Sequence, residues 1–210
     1  MLTPRPAGRE RIAPAAAIVV LAIAGSVSLG RALYLESKAY VGQQLLHWAW
    51  VRSATSGTAR RPWPWADTHP VARLQAPAQH VDLLVLAGAS GRTLAWGPGH
   101  LDDSSPPDGD GNIVLSAHRD THFRFLRNLR AGDRLTLELA DGLQRTYRVR
   151  DMKVVDASAL RIPRDTALPT LTLVTCYPFD AIAAGGPLRY VVSAVIDGDA
   201  GEPSLATIGT

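Results

Sequence analysis

Residues 12–30 form a run without a single charged side chain, and its most apolar part is Ile18–Ile23. As a helix rising about 1.5 Å per residue, the run would be about 28 Å long, close to the thickness of a bilayer's hydrocarbon core. The sequence therefore predicts a transmembrane helix. We assign residues 1–30 to a cytoplasmic tail followed by this helix.

The charges on either side of the run give its orientation. Three arginines precede it, while Arg31 and Lys38 follow it. This bias favours an N-terminus in the cytoplasm. A cleaved signal peptide is the alternative, since Ala22–Ala24 resembles a small-residue cleavage site. Both interpretations export the rest of the chain.

Residues 31–70 are predicted to connect the membrane to a folded domain. Residues 31–54 read as a helix, either a membrane-proximal stalk or a helix packed on the domain. Its apolar side chains recur along one face: Tyr34, Val41, Leu45 and Trp48. From Ser53 to Pro70 the chain is rich in Ser, Thr, Gly, Arg and Pro, which indicates a linker.

From Val71 onward, short apolar runs alternate with turn signals, a pattern typical of an all-β sandwich or barrel. Asp141–Gly142 is a strong hairpin signal, and a short helix is predicted at Phe123–Leu129. The domain is assigned to residues 71–197, and residues 198–210 form a C-terminal tail. The predicted strands are Val71–Gln75, Val81–Ala87, Asn112–Ala117, Arg134–Leu139, Gln144–Val155, Leu171–Thr175 and Leu188–Ile196.

Cys176 is the only cysteine of the chain and follows the predicted strand Leu171–Thr175. A lone cysteine excludes an intrachain disulfide, and Pro178 prevents the strand from continuing regularly. A thiol at a strand end is accessible at the rim of a sheet. An inert, buried cysteine is the alternative, because free cysteines are often buried.

Two further residues give this thiol the partners that cysteine chemistry needs. His118 ends the strand Asn112–Ala117, and an imidazole favours the thiolate and protonates a leaving amine. Arg189 lies at the start of the strand Leu188–Ile196, where its guanidinium can donate to an oxyanion. Taken singly, each is also typical of a polar residue at the rim of a sheet.

The charges of the chain bear on two other kinds of site, one for nucleic acid and one for a metal ion. A net charge of +3 without a long basic run argues against nucleic-acid binding. The acidic loop Leu101–Gly111 is a weak candidate for Ca²⁺, because it lacks EF-hand spacing and the terminal Glu. A solvated loop is favoured, so no metal or cofactor is predicted. The oxygen ligands in the calcium alternative are Asp102, Asp103, Asp108 and Asp110.

Three segments together resemble the sortase family of cysteine transpeptidases. They are Gly111–Asp120 (GNIVLSAHRD), Thr172–Cys176 (TLVTC) and Leu188–Val192 (LRYVV). The second fits the family's Thr-Leu-x-Thr-Cys signature fully, and the order of His, Cys and Arg also fits. The segments following His118 and Cys176 are most similar to class D and Gram-negative sortases. A sequence rich in Ala, Arg and Leu favours the Gram-negative class.

The resemblance implies a closed eight-stranded β-barrel with short helices, preceded by the transmembrane and stalk helices. It implies that Cys176 is the nucleophile, His118 the general acid and base, and Arg189 the group that stabilises the oxyanion and the sorting peptide. Thr175 would help to shape the pocket. Asp120 is a candidate for orienting His118, with an ordinary turn residue as the alternative.

The resemblance also implies the reaction and its partners. Cys176 would attack a backbone carbonyl in a C-terminal sorting signal related to Leu-Pro-x-Thr-Gly, in the manner of a thiol protease. The resulting thioacyl-enzyme would pass the substrate protein to an amine acceptor. The enzyme would be a single-pass protein of the inner, cytoplasmic membrane, with its catalytic domain on the periplasmic side.

Two alternatives belong to other functional classes. An exported L,D-transpeptidase-like acyltransferase would carry a Ser-x-Gly-Cys motif, whereas Thr175 directly precedes Cys176 here. A non-catalytic, membrane-tethered β-domain would not need His118, Cys176 and Arg189 together.

Overall fold

A computed structural model describes residues 9–181, 183 and 185–198, with the backbone alone for residues 9–16. The first eight residues of the predicted cytoplasmic tail lie outside this description. So do residues 199–210 of the predicted C-terminal tail. The chain divides into two compact units, Met1–Gln43 and Gln44–Thr210.

The first helix, α1, is continuous from Arg9 to Ser56 and covers both segments that the sequence predicted as helical. Its part Ala17–Ser56 contains an apolar window long enough to cross a membrane, and none of that window is buried in protein. Length and composition are thus consistent with a membrane anchor. A signal sequence near the N-terminus would show the same features.

The end of α1 within the second unit buries a face of its own. Leu46, Ala49, Trp50 and Ser53 are buried, at the spacing of one helix face. Ser53 Oγ donates to the Ala49 carbonyl at 2.9 Å and accepts from the backbone N–H of Arg60 at 2.9 Å. The hydroxyl therefore fixes the chain where it leaves the helix.

The predicted apolar stripe is not this buried face. Tyr34, Val41 and Trp48 are exposed, Trp48 to 64 %, and Leu45 is half-buried. The stripe therefore does not pack on the domain in this structure, and the stalk interpretation stays a prediction. The buried face combines the large side chains Leu46 and Trp50 with the small ones Ala49 and Ser53, and the latter two add little to a hydrophobic pattern.

Eight strands form a closed barrel in the order β1-β2-β3-β4-β7-β8-β6-β5. The predicted barrel is confirmed, and seven strands lie within two residues of their predicted bounds. The strands are β1 Pro70–Ala76, β2 Val81–Ala87, β3 Gly99–His100, β4 Asn112–Ser116, β5 Arg134–Leu139, β6 Gln144–Asp156, β7 Thr170–Tyr177 and β8 Leu188–Ile196. The short helices are α2 Gly91–Leu94 and the 3₁₀ turns Pro77–Gln79 and Arg124–Asn128.

The hairpin signal between β5 and β6 has a direct structural cause. Gly142 adopts a φ of 86°, which side chains disfavour. The carboxylate of Asp141 accepts from the backbone N–H of Leu143 at 2.9 Å. Together the two residues turn β5 into β6.

Successive side chains of β7 point to opposite faces of the strand, and each face packs in a different apolar cluster. Leu171 and Leu173 face the main core inside the barrel. The opposite face carries the valine cluster, defined here as Val114, Val174 and Val191 from β4, β7 and β8. Cys176 lies two residues after Val174 in the same strand and therefore on the valine-cluster face.

Candidate functional site

Cys176 and Arg189 are directly opposed in the antiparallel pair formed by β7 and β8. Opposed side chains lie on one face of a sheet, with Cβ atoms about 4.5–5.5 Å apart. The Cys176 thiol is half-buried. The structure therefore brings together the thiol and the guanidinium that the sequence singled out.

The guanidinium of Arg189 is already oriented by its own backbone surroundings. Its Nη1 donates to the carbonyl oxygens of Gly186 at 2.8 Å and Leu188 at 2.9 Å. These bonds use one nitrogen of a planar group that offers five N–H donors. A fixed guanidinium with further donors is suited to binding a carbonyl oxygen or an oxyanion.

His118 reaches the same end of the barrel through the parallel pairing of β4 with β7. Ser116 is opposite Val174, and the backbone N–H of Ala117 donates to the Val174 carbonyl at 3.3 Å. Extending this register by two residues places His118 beside Cys176. The imidazole is exposed. The three candidate residues therefore lie at the ends of three adjacent strands.

Thr175 is buried between the two strand ends, with only 2 % of its surface exposed. Its hydroxyl donates to the carbonyl oxygen of Ala117 at 2.7 Å. Successive side chains of a strand alternate, so Thr175 points away from the face that carries Cys176. The hydroxyl thus joins β7 to β4.

Asp120 and His122 follow His118 in a turn, where Asp120 is exposed and His122 is half-buried. No hydrogen bond joins Asp120 to His118 within the part of the chain that the structure describes, and an orienting role for Asp120 stays a prediction. Burial lowers the pKa of His122, and the charge of His118 lowers it further, while Asp120 acts in the opposite direction. The net effect disfavours the protonated imidazole of His122.

Arg119 was not singled out from the sequence, yet it is buried, with 7 % of its surface exposed. Its guanidinium donates to the carbonyl oxygens of Ala181 at 2.9 Å, Ala183 at 2.5 Å and Gly185 at 3.3 Å. All three acceptors belong to the connection between β7 and β8. The only sequence signal was an arginine directly after the candidate histidine.

The connection between β6 and β7 covers the valine cluster with Leu160 and Ile162. Asn112 holds it in place, because its side-chain N–H donates to the Pro163 carbonyl at 2.9 Å. The side-chain oxygen Oδ1 of Asn112 accepts from the hydroxyl of Thr172 at 2.8 Å, and this contact is buried. The result is an apolar surface on the face that carries the thiol.

Gly111, the first residue of the segment Gly111–Asp120, lies where two backbone segments come close together. A Cβ at this position would lie 2.7 Å from the carbonyl oxygen of Arg164. The backbone N–H of Asn112 donates to that oxygen at 2.8 Å. The close approach of two backbone segments therefore requires glycine here.

The acidic loop between β3 and β4 is organised by an arginine. Arg145 donates to the carbonyl oxygens of Gly109 at 2.5 Å and Asp108 at 2.8 Å, and pairs with the Asp110 carboxylate at 3.4 Å. Asp102 and Asp103 are exposed. Across the described residues, no three His, Cys, Asp or Glu side chains come together as metal ligands. The calcium alternative gains no support from this arrangement.

Comparison with known proteins identifies the domain. Residues 74–197 match the family model described as the sortase domain. The chain is 38 % identical over 126 residues to sortase D of Bacillus subtilis (strain 168), which is 57 % of this chain and 60 % of that protein. This chain thus matches less than two thirds of the length of that relative.

Solved structures agree with this match. The catalytic domain of B. anthracis SrtD has a TM-score of 0.52 and 37 % identity, covering 61 % of this chain and 88 % of that one. Sortase A from Corynebacterium diphtheriae has a TM-score of 0.57 and 26 % identity, covering 67 % of each chain.

The likeness to two sortase D chains agrees with the class D part of the prediction. The same relatives give no support to the Gram-negative part. The barrel and the match of residues 74–197 to the family model lead to one conclusion: the chain belongs to the sortase family.

Proposed function

We propose that the protein is a membrane-anchored cysteine transpeptidase in which Cys176 is the nucleophile. The observation that carries the proposal is the register that opposes Cys176 to Arg189, with His118 at the end of the adjacent parallel strand. A nucleophile, a proton donor and a fixed cation on one rim are the three groups that acyl transfer requires.

The first half of the proposed reaction forms a thioester. The Cys176 thiolate attacks a backbone carbonyl carbon of the substrate, and the N–H groups of Arg189 stabilise the oxygen as it becomes negative. The C–N bond then breaks, and protonated His118 gives its proton to the leaving amine. The acyl part of the substrate is left on the sulfur.

The second half transfers the acyl group. A neutral amine attacks the thioester carbon, and its surplus proton passes to the imidazole of His118. The C–S bond breaks, and Cys176 leaves as the thiolate. The new amide joins the substrate protein to its acceptor, and the enzyme returns to its starting state.

The proposed substrate is a protein with a C-terminal sorting signal related to Leu-Pro-x-Thr-Gly, and the acceptor is an amine. The apolar surface over the valine cluster, next to Cys176, suits the leucine and proline of such a signal. Membership of the sortase family supports the same substrate class. No bound metal or cofactor takes part in the proposed steps.

The proposed location follows from α1. Residues 1–30 would form the cytoplasmic tail and membrane span, and residues 31–70 the membrane-proximal helix and linker. Residues 71–197 would be the catalytic barrel outside the cytoplasmic membrane, followed by the tail 198–210. A Gram-negative host, with a periplasmic domain on the inner membrane, is supported by composition and by the segments that follow His118 and Cys176.

The test uses the full chain in detergent with a sorting peptide and an amine. We expect intact-mass spectrometry to show the peptide's acyl fragment on the wild-type protein, and no adduct on Cys176→Ala. His118→Gln should slow adduct formation by about 10²–10⁴-fold. Product formed by Cys176→Ala at the wild-type rate would refute the proposal.

A further inference from the structure

Arg119 is a buried cation, and among the described residues its hydrogen-bond partners are all backbone carbonyls. No carboxylate pairs with it among the described residues; its contacts are the oxygens of Ala181, Ala183 and Gly185. Burying a charge is costly unless it is fully hydrogen-bonded. Moving these carbonyls away from the guanidinium would leave a buried charge without hydrogen bonds, which stabilises the observed position of the connection between β7 and β8.

Two glycines allow the connection to take this shape. Gly185 has a φ of 86° and Gly186 a φ of 97°, both in the region that side chains disfavour. At Gly185 the chain turns one carbonyl towards Arg119. At Gly186 it presents the next carbonyl to Arg189, whose Nη1 donates to it at 2.8 Å.

The two arginines thus bind neighbouring carbonyls of one segment. Arg119 follows His118 at the end of β4, and Arg189 is opposite Cys176 on β8. Among the described residues, the guanidinium of Arg189 donates to two carbonyl oxygens. That of Gly186 lies within this segment, and that of Leu188 lies where the segment joins β8. Any shift of the segment would move the oxygens that orient the guanidinium of Arg189.

We propose that Arg119 is a positioning residue: it holds the connection between β7 and β8 and thereby sets the orientation of Arg189 beside the thiol. This inference rests on the proposed function only for the role given to Arg189. Arg119 itself touches neither the substrate nor the reacting atoms.

The first experiment compares full-length Arg119→Gln with the wild type and with Arg150→Gln, an exposed arginine of β6 that serves as the matched control. We expect Arg119→Gln to lower kcat/KM for a sorting peptide by about tenfold or more, because bonds from a charged donor are lost. Alkylation of Cys176 by iodoacetamide should change by less than about twofold, because the thiol and His118 are untouched. Arg119→Lys, which keeps a cationic donor, should recover part of the loss.

A double-mutant cycle tests whether Arg119 acts through Arg189. If it does, adding Arg119→Gln to Arg189→Lys should lower kcat/KM by less than about threefold beyond the single Arg189 variant. A full, multiplicative loss in the double variant would overturn the proposal. An unchanged kcat/KM in Arg119→Gln would overturn it as well.

Amide hydrogen exchange separates this inference from the proposed function. Peptides covering residues 185–189 should exchange about tenfold faster in Arg119→Gln than in the wild type and the control. Should the wild type form no acyl adduct, the proposed function fails, and the exchange data still decide whether Arg119 holds the segment. Wild-type exchange in a folded Arg119→Gln protein would overturn the holding role.

Gly185→Ala tests the proposal if Arg119→Gln does not fold, because it alters the conformation of the same segment and leaves Arg119 in place. Apart from its chain neighbours, no described residue has an atom within 4 Å of a Cβ added at Gly185, so the expected strain comes from the φ of 86°. The variant should show the same loss of kcat/KM and the same faster exchange. Wild-type values for both measurements in Gly185→Ala would refute the proposal.

Discussion

The hydroxyl of Thr175 donates a buried hydrogen bond to the carbonyl oxygen of Ala117, 2.7 Å away. Each of the two residues directly precedes a candidate catalytic residue, Cys176 in one case and His118 in the other. One hydrogen bond thus fixes the relative position of the two strand ends that carry the thiol and the imidazole.

Thr175→Val tests this bond, because valine keeps the shape of threonine and removes the donor. The buried carbonyl of Ala117 would lose a partner, which should cost about 1–3 kcal/mol in the free energy of unfolding. We also expect slower acyl-adduct formation, since His118 and Cys176 would be less well aligned. Urea unfolding and adduct kinetics measure the two effects. Thr175→Ser is the control that restores the donor; equal defects in both variants would contradict the prediction.

Arg189→Lys keeps the positive charge and removes the planar fork. We expect kcat/KM for the sorting peptide to fall by about 10²–10³-fold, the range found when an oxyanion donor is lost. Alkylation of Cys176 should proceed at the wild-type rate, because no acyl oxygen has to be stabilised. Arg150→Lys is the matched surface control. A lysine variant as active as the wild type would show that charge alone suffices.

Asn112→Leu should detach the connection between β6 and β7. The substitution removes the donor to Pro163 and leaves the Thr172 hydroxyl buried without its acceptor, at a cost of about 1–3 kcal/mol. Because this connection covers the valine cluster, KM for the sorting peptide should rise. Adding Thr172→Val removes the orphaned hydroxyl and should recover part of the stability but not the KM. Full recovery of both would assign Asn112 no role beyond packing.

Asp197 predicts how stability depends on pH. Desolvation raises the pKa of this carboxyl, but hydrogen bonds and charges from Arg148 and Arg134 outweigh it, so the pKa lies below the ordinary value of 3.8. A lowered folded-state pKa stabilises the protein above pH 3.8, and this contribution is lost as the pH falls below that value. Urea unfolding at pH 7 and pH 3 should therefore show a smaller acid loss in Asp197→Asn than in the wild type. An equal loss in both proteins would contradict the assignment.

The barrel strands could be predicted because each carries its own signal. β7 is a run of β-branched and apolar residues ended by a Tyr-Pro pair, and Asp141–Gly142 marks the hairpin between β5 and β6. The two residues of β3, Gly99 and His100, carry no such signal. They become a strand only through their pairing with β2 and β4.

The candidate site was predictable in part. The spacing of His118, Cys176 and Arg189 suggested neighbouring strand ends. The register opposes Cys176 to Arg189, and His118 follows the last paired residue of β4 by two positions. Arg119 could not be predicted, because its burial depends on where three carbonyls of a distant segment lie in space. The buried face of α1 was missed for a related reason, since Ala49 and Ser53 give little hydrophobic signal.

The parallel pairing of β4 with β7 makes the order of synthesis relevant to activity. His118 and Cys176 meet only after the long excursion through β5 and β6, and Arg189 arrives with the last strand, β8. Contacts so distant in sequence form late in folding. A chain still emerging from the membrane would carry its thiol before Arg189 has emerged, so the nucleophile acquires its full environment only when β8 closes the barrel.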